Sequence, residues 1–526
     1  MYIGETFNFE NIPEKLNDIV RNLNKDNFKK FRWFQEKAYD ILDLFLFDYG
    51  ILSKKEYEFI IAAIIAFVVK APTSKKEITL LYYVPLIITP YFRNNDLIDI
   101  IESPNLKAFI YDGIDDIDYV RFLNKVLSEE TAIKFDSGAQ LIPYNLKKDD
   151  IYSSRRLSNK SSNSLTFLKK DEIVKTYRKF VKGINPDLEM TLELKNAGFR
   201  NVQDIRGYFL YEDSNGDKYT VAIIVEHIKN MGDMWQYTQE YILSMIISIL
   251  SDYEEFEEGY VEDYCNDYIE EIKEIARIIA NMHIKLSSID KEGFMKKDVE
   301  VSDVQEVVNS IKNNFVKLLD FIKLSTFEEK IASMIENIQK QREFLMGKLE
   351  EFENTAVFGK YIRCHGDLHL EQILKSEEGY VLIDFEGEPT KPIEMRRKKM
   401  SPLKDIAGMM RSFSYAAYAA YFNYLDTKGK SKEEKVEKIL SAWEKLVTET
   451  FVENYLEVVM KKAPDIIPEG GNFDKVLAIF KLDKALFEGI YEVNNRPSWF
   501  KIPLKGILGC IEDLKLEKHG SEVNYG

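Results

Sequence analysis

The sequence predicts an α+β protein in which a small β-rich lobe precedes a large α-helical lobe. Three observations carry this expectation. Short runs of β-branched and aromatic residues recur between Ser164 and Val225. From Asp233 onward, apolar residues return at three- and four-residue spacing over long stretches. That helical pattern is interrupted once, between Tyr361 and Gly387, by short strand-like runs that hold closely spaced polar residues. A chain of 526 residues has room for two to four domains with sizeable cores.

In chain order, residues 1–140 form an N-terminal region that opens with an amphipathic stretch from Ile12 to Leu46. The apolar run Phe59 to Val69 reads as a buried helix or strand, and Ile78 to Ile88 as a strand. A stretch rich in Lys, Asp, Ser and Asn, from Asn145 to Asn163, has the composition of a linker or exposed loop. Residues 141–230 then hold the candidate strands Ser164–Phe167, Glu172–Tyr177, Asp204–Tyr211 and Tyr219–Val225. Asn185-Pro186-Asp187-Leu188-Glu189 reads as a helix start with Pro in the first turn. Residues 231–526 carry predicted helices over Tyr237–Tyr253, Val261–Leu286, Val301–Ile322 and Glu328–Phe352, and again from Pro402 on.

Apolar residues at 45% and charged residues at 30% fit a soluble globular protein. A net charge of −16 argues against nonspecific binding to nucleic acid or an anionic membrane. The longest apolar run has too few residues to span a bilayer, for which about twenty are needed. No secretory signal is visible after Met1, and Cys265, Cys364 and Cys510 show no metal-ligand spacing, so reduced thiols and a cytoplasmic location are expected.

The chemistry concentrates in Arg363-Cys364-His365-Gly366-Asp367-Leu368-His369-Leu370-Glu371-Gln372 and in Val381-Leu382-Ile383-Asp384-Phe385-Glu386-Gly387. Phosphoryl transfer from ATP needs a carboxylate on the attacking hydroxyl and oxygen ligands for a bridging Mg2+. Asp367 suits the first role, and Gln372 and Asp384 the second, with the Asp-to-amide spacing of a kinase catalytic loop. His365 and His369 are read as holding this loop through hydrogen bonds. Lys175 lies on an alternating strand and Glu189 opens the following helix, the arrangement of a phosphate-binding Lys steadied by a helix Glu. Ser162, Asn163 and Ser164 are candidates to cradle phosphates, although no Walker-type string exists. Glu226, His227 and Ile228 follow a strand where a kinase hinge would offer main-chain groups to adenine. The aromatic series from Phe413 to Tyr424 reads as core. Tyr491 to Trp499, polar and aromatic at once, is either a carbohydrate surface or a structural helix end.

These strings resemble the bacterial maltokinases, which have an aminoglycoside-phosphotransferase-like, eukaryotic-like kinase fold. The likeness runs through His-Gly-Asp-Leu-His-Leu-Glu-Gln, Ile383 to Pro389, Ser401 to Phe413, Gly183 to Glu189, Gly232 to Thr238, Leu482 to Glu488, Asn495 to Trp499 and Arg32-Trp33-Phe34. It implies a bilobal kinase with an N-terminal cap subdomain in residues 1–140, an ATP-binding β-rich lobe in 141–230 and a helical C-lobe in 231–526. It further implies an ATP-dependent sugar kinase that converts maltose to maltose 1-phosphate with Mg2+. Under it, Asp367 is the base, Gln372 and Asp384 are metal ligands, and Lys175 with Glu189 is the phosphate-side pair. His369, Glu386, Arg411, Lys484, Tyr491, Glu492, Arg496 and Trp499 line the sugar pocket. A trehalose synthase or an α-glucan-forming enzyme is the partner that the resemblance suggests.

The chain departs from the family pattern at Glu371, where Gly is usual, at Ser414, where Asp is common, and in Gln35-Glu36 after Arg32-Trp33-Phe34. None removes a catalytic group. Glucosamine-phosphorylating relatives share the catalytic motifs, so glucosamine or another amino sugar is the alternative acceptor, with Glu386, Glu388 or Glu492 to meet an amine. A non-catalytic partner of a trehalose- or maltose-converting enzyme is a third reading, opposed by the presence of Lys175, Asp367, Gln372 and Asp384 together.

Overall fold

In the computed structural model of the chain, residues 9–71, 76–103, 106–146, 155–158, 163–169, 171–355 and 357–515 are described. The chain divides into two compact units, one of residues 1–192 with 203–228, the other of residues 193–202 with 229–526.

The first unit opens with helices α1 (Ile12–Arg21) and α2 (Lys25–Phe28). The strands β1 (Asp40–Lys55), β2 (Glu58–Lys70), β3 (Glu77–Thr89), β4 (Leu97–Ser103) and β5 (Leu106–Asp112) then form an antiparallel sheet in the order β1-β2-β3-β5-β4. After helix α3 (Ile117–Glu129) comes a second sheet, of β6 (Ile133–Lys134), β7 (Gln140–Asn145), β8 (Arg155–Ser158), β9 (Ser164–Lys169), β10 (Glu172–Thr176), β11 (Ile205–Glu212) and β12 (Lys218–Glu226). Its order is β6-β7-β11-β12-β10-β9-β8, and helix α4 (Pro186–Asn196) follows β10 in the chain.

The run Phe59–Val69 is a strand, and its near-continuous apolarity has a clear cause. Phe59, Ile61, Ala63, Ile65 and Phe67 face a core built with Ile12, Leu16, Trp33 and Phe34. The alternate residues Ile60, Ala62 and Ile64 face a second core with Leu123 and Leu127 of α3 and Phe209, Val221 and Ile224 of the larger sheet. A strand buried on both faces loses the polar alternation that would have distinguished it from a helix.

Two expectations are corrected here. The amphipathic opening from Ile12 to Leu46 is not one element: α1 buries Ile12, Leu16, Ile19 and Val20, and β1 begins at Asp40. The expected linker contains a strand, β8, paired with β9 at one edge of the sheet, and a polar sequence suits such an edge. The predicted strands at Ile78, Ser164, Glu172, Asp204 and Tyr219 are β3, β9, β10, β11 and β12.

A buried network joins the two sheets. Arg178 is fully buried; it donates to Asp112 Oδ2 at 2.7 Å and Ser164 Oγ at 2.7 Å, and its guanidinium lies 4.8 Å from the Trp33 ring centroid. Trp33 Nε1 donates to the same Asp112 oxygen at 3.0 Å, so the Arg-Trp-Phe string is a packing motif.

The second unit contains β13 (Asn230–Asp233), α5 (Met234–Asp252), α6 (Gly259–Ser287), α7 (Val301–Lys323), α8 (Glu329–Lys340) and α9 (Arg342–Thr355). The hairpin β14 (Ile373–Ser376) and β15 (Gly379–Leu382) follows, pairing with β13. It leads to α10 (Ile393–Arg396), α11 (Leu403–Lys428), α12 (Glu433–Lys462), α13 (Asn472–Asn495) and α14 (Lys501–Lys515). The single helix expected over Glu328–Phe352 is broken at Gln341, and no side chain there explains the break. The three cysteines are buried free thiols. No helix among the described residues is long and apolar enough to cross a membrane.

Candidate active site

The segment around Asp367 is held from below by a buried carboxylate. Tyr361 and Ile362 bridge to Lys297 and Met400, which delivers the chain into the His-Gly-Asp turn. There the amides of His365 and Gly366 donate to Asp405 Oδ2 and Oδ1 at 2.8 and 2.9 Å. His283 Nε2 lies 3.1 Å from Asp405 Oδ2, and its Nδ1 lies 2.8 Å from the Tyr455 hydroxyl. Burial opposes ionisation of Asp405, but the bond from His283 and these amides hold its pKa below the usual range. Two glycines are required by close approach. Gly366, at φ +84°, would bring a Cβ within 3.3 Å of the Gly387 Cα, and a Cβ on Gly408 would meet the Leu368 carbonyl oxygen at 2.6 Å. Helix α11 therefore presses directly on the turn that carries Asp367. The role of His365 agrees with this picture, since its Nε2 lies 3.0 Å from the Ile383 carbonyl.

Asp367 faces a cleft of about 250 Å³, whose polar lining includes Ser310, Asn314, Glu388, Lys391, Lys404 and Asp483. Lys484 on α13 donates to Asp367 Oδ1 at 3.0 Å. Burial pushes the Asp367 pKa up, yet Lys484 and His369 outweigh it and bring the value down to about 2. Glu388 pairs with Lys391 at 2.9 Å. His369, where burial dominates, is held below the usual imidazole value.

Gln372 ends a short 3-10 turn before β14, and its amide nitrogen lies 3.3 Å from Asp384 Oδ2 and 3.2 Å from His369 Nε2. Asp384 has φ +66°, a left-handed conformation that non-glycine residues rarely hold without a functional or packing reason. The donor set fits Mg2+. Turning the Gln372 amide would place its carbonyl oxygen beside the Asp384 carboxylate, an all-oxygen pair suited to a hard cation.

Other candidate residues are placed as follows. In the first unit, Lys175 on β10 donates to Asp187 Oδ2 at 2.6 Å, an oxygen that the Tyr177 hydroxyl shares at 2.9 Å. Asp187 and Glu189 both stand in the first turn of α4. Ser164 opens β9 and its hydroxyl oxygen accepts from Arg178, Asn163 precedes it in a bend, and Ser162 lies outside the described residues. Glu226 ends β12, where its amide donates to the Asp204 carbonyl and its own carbonyl accepts from Gln203 Nε2. The His227 amide donates to the Asp171 carbonyl at 2.8 Å, and Ile228 closes the unit.

In the second unit, Arg411 is a correction. It is buried between α11, α13 and α14, where its donors are taken by Glu488 at 2.9 Å, Ser414 and the Ile502 carbonyl. It does not line the Asp367 cleft. Neither do Tyr491, Glu492, Arg496 and Trp499, which form their own cluster. There Arg496 donates to Glu492 at 2.5 and 2.9 Å, Tyr415 donates to Glu492 at 3.1 Å, and Trp499 stacks on Tyr415. Glu386 is buried beside Arg396, 3.8 Å from its guanidinium. The departures from the family pattern are absorbed locally: Glu371 is exposed, and Ser414 hydrogen-bonds Glu444. Sequence reasoning missed Asp405, His283, Lys404, Asp483 and Ser310. Asp405 sat in a motif already quoted, and a charged residue at an apolar-phase position of a predicted helix was its signal.

No family model matches the chain. It is 29% identical to a glucosamine kinase of Mycolicibacterium smegmatis over 140 residues, 26% of this chain and 32% of that protein. A glucosamine kinase of Streptacidiphilus jiangxiensis is 24% identical over 142 residues, 27% of this chain and 30% of that protein. These matches thus span about a third of the curated relatives' length. Among solved structures, a glucosamine kinase (crystal form B) superposes with a TM-score of 0.63 at 14% identity, covering 94% of this chain and 99% of that one. A glucosamine kinase in complex with glucosamine, ADP and inorganic phosphate gives 0.61 at 15% identity, covering 94% and 98%. The chain has the α+β kinase-like fold of these glucosamine kinases; the likeness does not extend to a choice of maltose.

Proposed function

We propose that this protein is a Mg-ATP-dependent kinase that phosphorylates a hydroxyl of an amino sugar, with glucosamine as the first acceptor to test. The observation that carries this reading is Asp367, held ionised by Lys484 at the edge of a small polar cleft. About 250 Å³ lies just below the usual range of ligand-pocket volumes, which suits a single sugar ring better than a disaccharide. The glucosamine kinase relatives support the same class of acceptor. Maltose, giving maltose 1-phosphate, is the second reading; it rests on the motif strings and asks the cleft to admit a disaccharide.

In this mechanism Asp367 accepts a hydrogen bond from the acceptor hydroxyl and orients its oxygen toward the γ-phosphorus. A carboxylate with a pKa of about 2 is a weak base. That is enough for a loose phosphoryl-transfer transition state, in which the hydroxyl keeps its proton until late. Gln372 and Asp384 would hold Mg2+, which would supply neutralisation of the phosphate charge. Lys175, steadied by α4, is assigned to the ATP phosphates, with Glu189, Asn163 and the main chain of residues 226–228 on the nucleotide side. Asp405 and His283 keep the turn in register from beneath.

The test is ADP release with Mg-ATP across glucosamine, N-acetylglucosamine, glucose and maltose, with the product identified by mass spectrometry. Glucosamine phosphate as the principal product is expected. ADP release that no sugar stimulates would overturn the reading, and release with maltose alone would favour the second one.

A further inference from the structure

Four of the charged side chains in the Asp367 cleft close on each other, as Asp367 with Lys484 and Glu388 with Lys391. Asp405, also in the lining, is met by the His365 and Gly366 amides and by His283, which leaves two charged side chains. Lys404 lines the cleft from the first turn of α11, and its ammonium makes no hydrogen bond or ion pair among the described residues. Asp483, beside Lys484 on α13, has a single hydrogen-bond partner among them, Ser310 Oγ on α7 at 3.2 Å. The Asn314 amide, one helical turn after Ser310, also lines the cleft and makes no hydrogen bond there.

Neither group is well served by the fold alone. A cation at a helix N-terminus opposes the helix dipole, and Lys391 adds a second positive charge nearby. Burial and that neighbour push the Lys404 pKa down. Burial pushes the Asp483 pKa up, although Lys404 and Lys391 oppose this. A half-buried carboxylate with one weak partner has lone pairs to spare, and an unpaired lysine has three donors to spare. Strained charges of this kind, placed in a cleft beside an ionised Asp, are a signature of ligand recognition rather than of folding.

We infer that Asp483 and Lys404 read the acceptor, with Asp483 accepting from the sugar ammonium and Lys404 donating to a neighbouring hydroxyl oxygen. The inference rests on the amino-sugar reading above and adds the selecting residues. An amino sugar offers a charged donor and a neutral acceptor on adjacent carbons, complementary to a carboxylate and a lysine that do not pair with each other. Glucose can satisfy Lys404 equally well but brings only a neutral donor to Asp483. Asp483 is therefore the discriminating residue, and Lys404 a shared anchor. Both are proposed to bind substrate; neither takes part in the transfer.

Binding and turnover of the full-length protein with Mg-ATP test this. Wild type, Asp483→Asn, Asp483→Ser and Lys404→Gln are compared on glucosamine and glucose, with calorimetric sugar binding and thermal melting measured for each. For both Asp483 variants, glucosamine affinity and kcat/KM should fall roughly 10- to 100-fold, while glucose values change less than about threefold. Lys404→Gln should weaken both sugars to a similar degree. Equal losses on the two sugars for the Asp483 variants, or no loss, would overturn the inference even if wild type phosphorylates glucosamine. A wild-type protein that neither binds nor phosphorylates either sugar would instead remove the amino-sugar reading, and this inference with it.

Discussion

The Asp367 cleft and the Tyr491–Trp499 cluster are both polar, both aromatic-edged and both contributed in part by α13, yet they are chemically opposite. In the cluster every charge is met. Arg496 makes two bonds to the buried Glu492, Tyr415 adds a third, and Trp499 lies under the guanidinium at 4.7 Å. In the cleft, the side chains of Lys404 and Asn314 have no hydrogen-bond partner among the described residues, and that of Asp483 has one. Composition cannot separate two such regions. Satisfied valence marks a structural helix end, and unsatisfied valence marks a place where something else binds.

The sharpest way to break this contrast is at its functional extreme. Asp367→Asn should lower kcat by about 10³-fold or more while leaving nucleotide binding intact, measured by coupled ADP release and calorimetry. Asp405→Asn tests the support beneath it. The carboxylate takes the His365 amide and His283 on Oδ2 and the Gly366 amide on Oδ1, so replacing one oxygen by an NH2 group should lower kcat about 100-fold, with sugar and ATP KM values little changed.

A third experiment uses pH. The Asp367 pKa falls from 3.8 to about 2 in the folded protein, so its ionised form adds stability that is fully present above about pH 4 and is lost as pH falls toward 2. Lys484→Met removes the main opposing charge and leaves burial to act. The acid limb of kcat/KM should then move to higher pH, by about a unit or more, and activity at pH 7 should fall about tenfold. An unmoved acid limb would show that Lys484 does not set the charge of Asp367.

The smallest effect on activity belongs to the cluster. Arg496→Ala leaves Glu492 buried without its cation, so melting should report a loss of about 1–3 kcal/mol. Its kcat/KM for sugar should stay within about threefold of wild type. A large loss of sugar affinity with no loss of stability would return the cluster to the substrate side.

What the sequence made legible follows from how local each signal is. Asp367, Gln372 and Asp384 fall within one turn and one hairpin, so their closeness could be expected from spacing. Strands β9, β10, β11 and β12 were legible from β-branched runs between turn residues. Strand β2 was not, because burial on both faces erased its period. Strand β8 was hidden by a polar edge composition. The Asp367 cleft draws Ser310, Lys404 and Asp483 from three helices that are far apart in sequence, and no spacing rule joins them. Arg411 was assigned to the sugar for being charged within a quoted motif, whereas its guanidinium is consumed by Glu488 and its neighbours.

The two-faced strand β2 also decides where this protein can be cut. Ile60, Ala62 and Ile64 form one wall of the core that α3 and the larger sheet share, while Arg178 reaches across to Asp112. The N-terminal sheet is thus not a detachable cap. A truncated version beginning at β6, made to isolate a minimal phosphotransferase, would leave Phe209, Val221 and Ile224 facing water along one side and orphan a buried guanidinium. Aggregation on expression is the expected outcome, and grafting this sheet onto a related enzyme would require carrying α3 and the Arg178 position with it.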